Sequence, residues 1–227
     1  ARLCRDIAPI SPRFLFFESL TLAKDAAMQH DLEQTTQLVT QLQQAHRLAA
    51  GFYQRILPLF DQIASQALAA EFWYWDPSEN SRPCRSGTRP SSSWAWDYLP
   101  LFASTHCYRD WGGDTAEKND ITLAFRLYID SDFRHTSVLR AGVKGQPDPL
   151  QLDGQAIVEV SLFRCLEDSD KHFDELWRTV PWPLHQPDWK QSEECSQLAF
   201  CSNHVRLTQL LADPDSVGRW IEEMSHR

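Results

Sequence analysis

The sequence predicts an α+β fold: an N-terminal helical hairpin packed on a mainly antiparallel β-sheet, with C-terminal helices. Three observations carry that expectation. Apolar and small residues recur every three or four positions through the first seventy residues. The stretch "ITLAFRLYID" (121–130) alternates apolar and polar without a break. The segment "DPDSVGRWIEEM" opens with Asp213 as N-cap and Pro214 just inside the helix. Helices, then strands, then helices is the α+β order, since alternating α/β folds interleave the two.

Taken in order, "SPRFLFFESLTLAKDAAMQH" starts with Ser11 as N-cap and Pro12 at the first helical position, where its missing N–H costs nothing. A second helix starts at Asp31, with Gln34 placed to complete a capping-box-like pair. Its inward face runs through Leu32, Thr35, Val39, Leu42, Ala49, Phe52, Ile56, Ile63 and Ala67. Pro58 is expected to kink or divide this helix near Leu57. The two arms form a hairpin packed on the rest of the domain; a homodimer through the N-terminal helices is the alternative use of that face.

Residues 77–93 hold six Ser, three Pro and three Arg, the composition of a mobile loop. In 121–130, Ile121, Leu123, Phe125, Leu127 and Ile129 face one way and Thr122, Arg126, Tyr128 and Asp130 the other, which predicts a half-covered strand. "HTSVLRAGV" (135–143) and "QAIVEVSLF" (155–163) read as its neighbours, joined through the turn chemistry of "KGQPDPLQLDG". A helix from about Asp170 to Thr179 stops at "PWP". The chain thus reads as one domain, 1–227: helical to residue 70, loop at 77–93, sheet at 94–165 and helical again from 166.

Two tetrapeptides, "WYWD" (73–76) and "WAWD" (94–97), flank the loop. As a hairpin with 73 opposite 97, Trp73 and Trp75 share one strand face and Trp94 and Trp96 another, while Asp76 and Asp97 fall at opposite ends. Aromatic cross-strand pairs favour that register over facing carboxylates. The repeat therefore reads as sheet packing or a partly exposed aromatic surface.

Composition restricts the function. The chain carries a net charge of −9, and residues 111–180 hold eight basic against thirteen acidic groups. A surface of that sign repels phosphate backbones, which argues against general nucleic-acid binding and favours a basic protein partner. No apolar run is long enough to span a membrane as a helix, and that in "ARLCRDIAPISPRFLFF" is too short for a signal peptide. Six scattered cysteines read as reduced, hence a cytoplasmic setting.

One constellation could carry chemistry. "WGGD" (111–114), "IDSDF" (129–133) and "VEV" (158–160) place Asp130, Asp132 and Glu159 where hard oxygen ligands could hold Mg or Mn. The arrangement distantly resembles that of nucleotidyltransferases. The resemblance implies a metal-dependent phosphoryl- or nucleotidyl-transfer enzyme, with Gly112 and Gly113 near the phosphates. Ser131 stands where those enzymes carry an apolar residue, and residues 114–120 are too short and polar for their helix.

Weaker patterns are Cys195, Cys201 and His204, a loose soft-metal spacing in which a helix would put Cys195 away from the other two, so that zinc would need a turn and a fourth ligand, and Ser104, His106, Cys107 and Asp110, where adjacent His and Cys on a strand face apart. Nucleophile-elbow, phosphate-loop, dinucleotide and zincin motifs do not occur. The preferred reading is a non-enzymatic, cofactor-free acidic binding module, an inhibitor, antitoxin-like or immunity-like protein. Its surface would comprise Trp73, Trp75, Trp94, Trp96, Asp170, Asp174, Glu175 and Trp177.

Overall fold

The computed structural model describes residues 32–113, 115–135 and 146–227. The first arm of the expected helical hairpin lies outside these residues, as does nearly all of the strand expected at 135–143. The chain divides into two compact units, Ala1–Tyr53 and Gln54–Arg227. As described, the first unit is the opening part of helix α1 (Leu32–Leu68), on which Leu32, Val39, Leu42 and Leu48 are exposed.

The second unit is built on a six-stranded antiparallel sheet. Its strands are β1 (Glu71–Pro77), β2 (Ala103–Asp110), β3 (Ile121–Tyr128), β4 (Ile157–Cys165), β5 (Lys190–Gln191) and β6 (Leu198–Arg206), in spatial order β1-β2-β3-β4-β6-β5. Among the described residues, the C-terminal part of α1 and three further helices complete it: α2 (Phe173–Trp177), α3 (Leu207–Ala212) and α4 (Pro214–His226). The architecture is the expected α+β one. Asp213 caps α4, its side chain accepting from the Ser216 N–H at 3.2 Å.

One face of the sheet packs on helix. Ile56, Phe60, Ile63 and Ala64 of α1 are buried, and the Phe60 ring stacks on Phe125 of β3 at 4.6 Å between centroids. Pro58 lies inside α1 without ending it, so the expected division near Leu57 does not occur. An interior proline costs about 3 kcal/mol; burial of the apolar side chains on both sides of it opposes that cost.

The other face is covered too, which corrects the half-covered reading of β3: all eight of its residues are buried. At one end an aromatic cluster seals it, with Trp177 as hub and Trp73, Phe163 and Trp182 within 5.6 Å of its ring. At the other end Trp96, Phe102, Tyr128 and Phe133 form a second cluster. Helix α2 is shorter than the Asp170–Thr179 expected: past Trp177 the Thr179 and Val180 N–H groups bond only three residues back, to the Leu176 and Trp177 carbonyls, which closes the helix in a tighter turn.

The tryptophan hairpin does not form. β1 pairs with β2, not with residues 94–97, and Ala95–Tyr98 is a 3-10 turn. Asp97 closes that turn instead of joining a strand, accepting from the Ser81 and Trp94 N–H groups at 2.9 and 3.1 Å. Trp96 is buried, its indole N–H donating to the Pro147 carbonyl at 2.8 Å. Nor do Trp73 and Trp75 share a face. A bulge between Phe72 and Tyr74 shifts the register. Trp73 turns to the Trp177 cluster, while Trp75 pairs with His106 on the α1 side.

Candidate functional site

Two features of the second unit bring polar chemistry together. The first is a charged row across the sheet. The registers Asp76↔Thr105, Thr105↔Arg126, Arg126↔Glu159 and Glu159↔His204 place one residue from each of five strands side by side, on the face between the two aromatic clusters. Glu159 is 1% exposed and Arg126 8%. Such charges persist in a core only when they are paired. Arg126 Nη1 donates to Glu159 Oε2 at 3.2 Å, Arg134 binds Glu159 Oε1, and His204 Nε2 lies 3.2 Å from that oxygen. The Arg126 guanidinium lies against Trp182, 4.6 Å from its ring centroid, and 3.6 Å from Glu79.

The electrostatics follow from this packing. Burial alone would raise the Glu159 pKa, but His204 and the two arginines together hold it below the ordinary glutamate value. Burial raises Glu79, with Arg126 opposing. Glu159 is thus fixed as an anion.

The predicted metal residues do not gather. Asp130 Oδ1 accepts from the Asp132 N–H at 2.9 Å and the Gly154 N–H at 3.1 Å. Asp132 accepts from the Asp153 N–H and Ser131 Oγ from the Gln155 N–H. The Asp-Ser-Asp motif is a clamp on the backbone of residues 153–155. Glu159, for its part, is engaged by cations on both oxygens. Among the described residues no group of three His, Cys, Asp or Glu side chains is placed to hold a metal ion, so these three carboxylates do not fit Mg or Mn. Gly112 and Gly113 lie in the β2–β3 connection, and nothing described links them to the carboxylates.

The other sequence patterns also resolve. Residues 198–206 form strand β6, not a helix, so Cys201 and His204 point to opposite sheet faces. His106 and Cys107 do face apart; Ser104 Oγ lies 3.0 Å from His106 Nε2, both buried. Burial pushes the Cys107 thiol up to about 12, so it is unreactive at neutral pH.

The second feature is a cleft of about 740 Å³ on the α1 side of β1 and β2, lined by Leu57, Asp61, Ser65, Ala70, Glu71, Phe72, Trp75, Leu101, His106 and Tyr108. Leu57, Asp61 and Ser65 recur at every fourth position of α1, so a single helix stripe forms one wall. Phe72 is half exposed at its mouth. The Tyr108 hydroxyl donates to Asp61 Oδ1 at 2.6 Å. Among the described residues two acids and no Lys or Arg line it, and burial pulls His106 down to about 4, leaving it neutral.

Of the partner-surface residues predicted from sequence, only Trp75 lines this cleft. Trp96 and Trp177 are core, and Trp73 and Trp94 are half-buried. Asp170 and Glu175 are exposed, and Asp174 pairs with Arg178 at 3.0 Å. Sequence reasoning missed Asp61, Phe72 and Tyr108. Nor did a local signal mark the charged row: Arg126 shares its face of β3 with Thr122 and Tyr128, and Glu159 shares its face of β4 with Ser161, so neither breaks an apolar face.

Fold and site together define an α+β domain with a neutralised charge row in its core and an acidic aromatic cleft on its surface. The chain belongs to the PM0109 family, whose model matches residues 32–227. Comparison with curated proteins and with solved structures finds no match.

Proposed function

We propose that this protein is a non-enzymatic binding module that engages a basic protein partner, in the manner of an inhibitor, antitoxin-like or immunity-like protein. The observation that carries the reading is the cleft beside β1. It is open and mainly apolar, with Asp61 and Glu71 but no Lys or Arg among its described lining residues, on a chain of net charge −9. Interfaces of this kind use aromatic anchors with a charged rim, and opposite charge speeds encounter. The charge row supports the same reading, because Glu159 is committed to holding Arg126, Arg134 and His204 in place. A reduced, cytoplasmic setting is in keeping with five described cysteines that carry no disulfide.

The test is capture on the immobilised full chain at low and moderate salt. A stoichiometric basic protein, released as salt rises, is the expected result. Recovery of nothing stoichiometric, or of a partner indifferent to salt, would remove the proposal.

A further inference from the structure

We infer that the cleft between α1 and β1 seats a large apolar side chain of the partner together with the Lys or Arg next to it, and that docking proceeds through side chains and not by strand addition to β1. This rests on the binding-module reading and names what that module grips.

Three observations converge. The apolar walls come from Leu57, Phe72, Trp75 and Leu101, and the volume of about 740 Å³ has room for an aromatic ring with an alkyl-ammonium stem beside it. Phe72, an aromatic on an edge strand, is 50% exposed and so gains from being covered. The charge is complementary to a cation. Asp61 is exposed and uses one oxygen for Tyr108, and a carboxylate has acceptor capacity on its second oxygen.

The mode of docking follows from Arg82. β1 is the end strand of the sheet, where a partner strand could pair. The Arg82 guanidinium already donates to the Trp75 carbonyl at 2.9 Å, pairs with Asp76 at 3.1 Å and lies 5.3 Å from the Trp75 ring centroid. An added strand would have to displace it, whereas a side chain entering the cleft would not. A second copy of this chain brings another nine negative charges and is the wrong occupant.

The experiment titrates N-acetyl-Phe-Lys-amide into the full chain and follows the Trp75 and Tyr108 ring resonances, with N-acetyl-Phe-Glu-amide and N-acetyl-Gly-Lys-amide as comparators. The Phe-Lys compound should bind about two- to fivefold more tightly than Phe-Glu, the range of an exposed ion pair. It should bind about tenfold or more tightly than Gly-Lys, the worth of a buried aromatic. Asp61→Asn, whose amide oxygen can still accept from Tyr108, should abolish the preference for Lys and leave Phe binding intact. Phe72→Ser should weaken both Phe compounds. Equal affinity for all three compounds, a Lys preference that survives Asp61→Asn, or shifts confined to residues outside the cleft would overturn the inference. If that happens while the chain still binds a basic protein in a salt-sensitive way, the cleft assignment falls and the binding-module reading stands. If no basic protein binds either, both fall.

Discussion

Arg126 and Glu159 face each other across β3 and β4, with 3.2 Å between Nη1 and Oε2. They are the most deeply buried ion pair described, with side chains 9% and 1% exposed. Removing one partner leaves a charge without compensation. Glu159→Gln should therefore cost about 3–5 kcal/mol of unfolding free energy, measured by urea denaturation. Arg126→Met combined with Glu159→Leu should cost less than the sum of the single changes. Strict additivity would mean that the pair is not energetically coupled.

The pH dependence of stability has two sources of the same sign. His106 has a folded pKa of about 4, below its ordinary 6.5, because burial disfavours the cation. Between those values the unfolded chain takes up a proton that the folded one refuses, so stability is full above pH 6.5 and falls as pH drops towards 4. Linkage sets this loss at about 2–4 kcal/mol. Glu159, also depressed, loses its contribution further down, as pH falls through its folded pKa below the ordinary 4.5. Chemical denaturation across pH should show a shallower slope between 6.5 and 4 for His106→Gln than for wild type. An unchanged slope would show that His106 is not the group responsible.

The Asp-Ser-Asp clamp has no room for a side chain at Gly154. A Cβ there would lie 2.3 Å from Asp130 Oδ1 and 2.6 Å from both Asp132 N and Ser131 Oγ. Gly154→Ala should cost about 1–3 kcal/mol, seen as a lower Tm. Magnesium or manganese should raise the Tm of neither wild type nor variant. A metal-dependent rise that disappears in Asp132→Ala would restore the metal reading of this motif.

Arg82 guards the sheet edge through the Trp75 carbonyl. Arg82→Ala uncovers that acceptor and is expected to increase self-association through β1, read by sedimentation velocity over a range of concentrations. Wild-type behaviour in the variant would assign edge protection elsewhere.

Much of the fold is legible locally, and the site is not. Strands β3 and β4 announce themselves by alternation and β-branched content, and α4 by its Asp-Pro start. Strand β2, "ASTHCYRD", is hidden because its residues are small or polar, yet its first six are buried. Strand β6 carries Ser202 and His204 on the face of the charge row, which breaks the apolar run that would mark a strand. The bulge at Phe72/Tyr74 is a single-residue offset that splits Trp73 from Trp75, and no composition signal marks it. The row itself depends on four strand registers, and the cleft on how α1 lies against the sheet edge. Both are products of long-range packing.

Docking of a basic partner in the acidic cleft remains the proposal on which the binding-module reading turns. It is tested most directly by calorimetric titration of the captured partner into wild type and into Phe72→Ser, at low and moderate salt. One-to-one binding that weakens with salt and is largely lost in the variant is the expected result. Equal affinity for the two proteins, unchanged by salt, would contradict it.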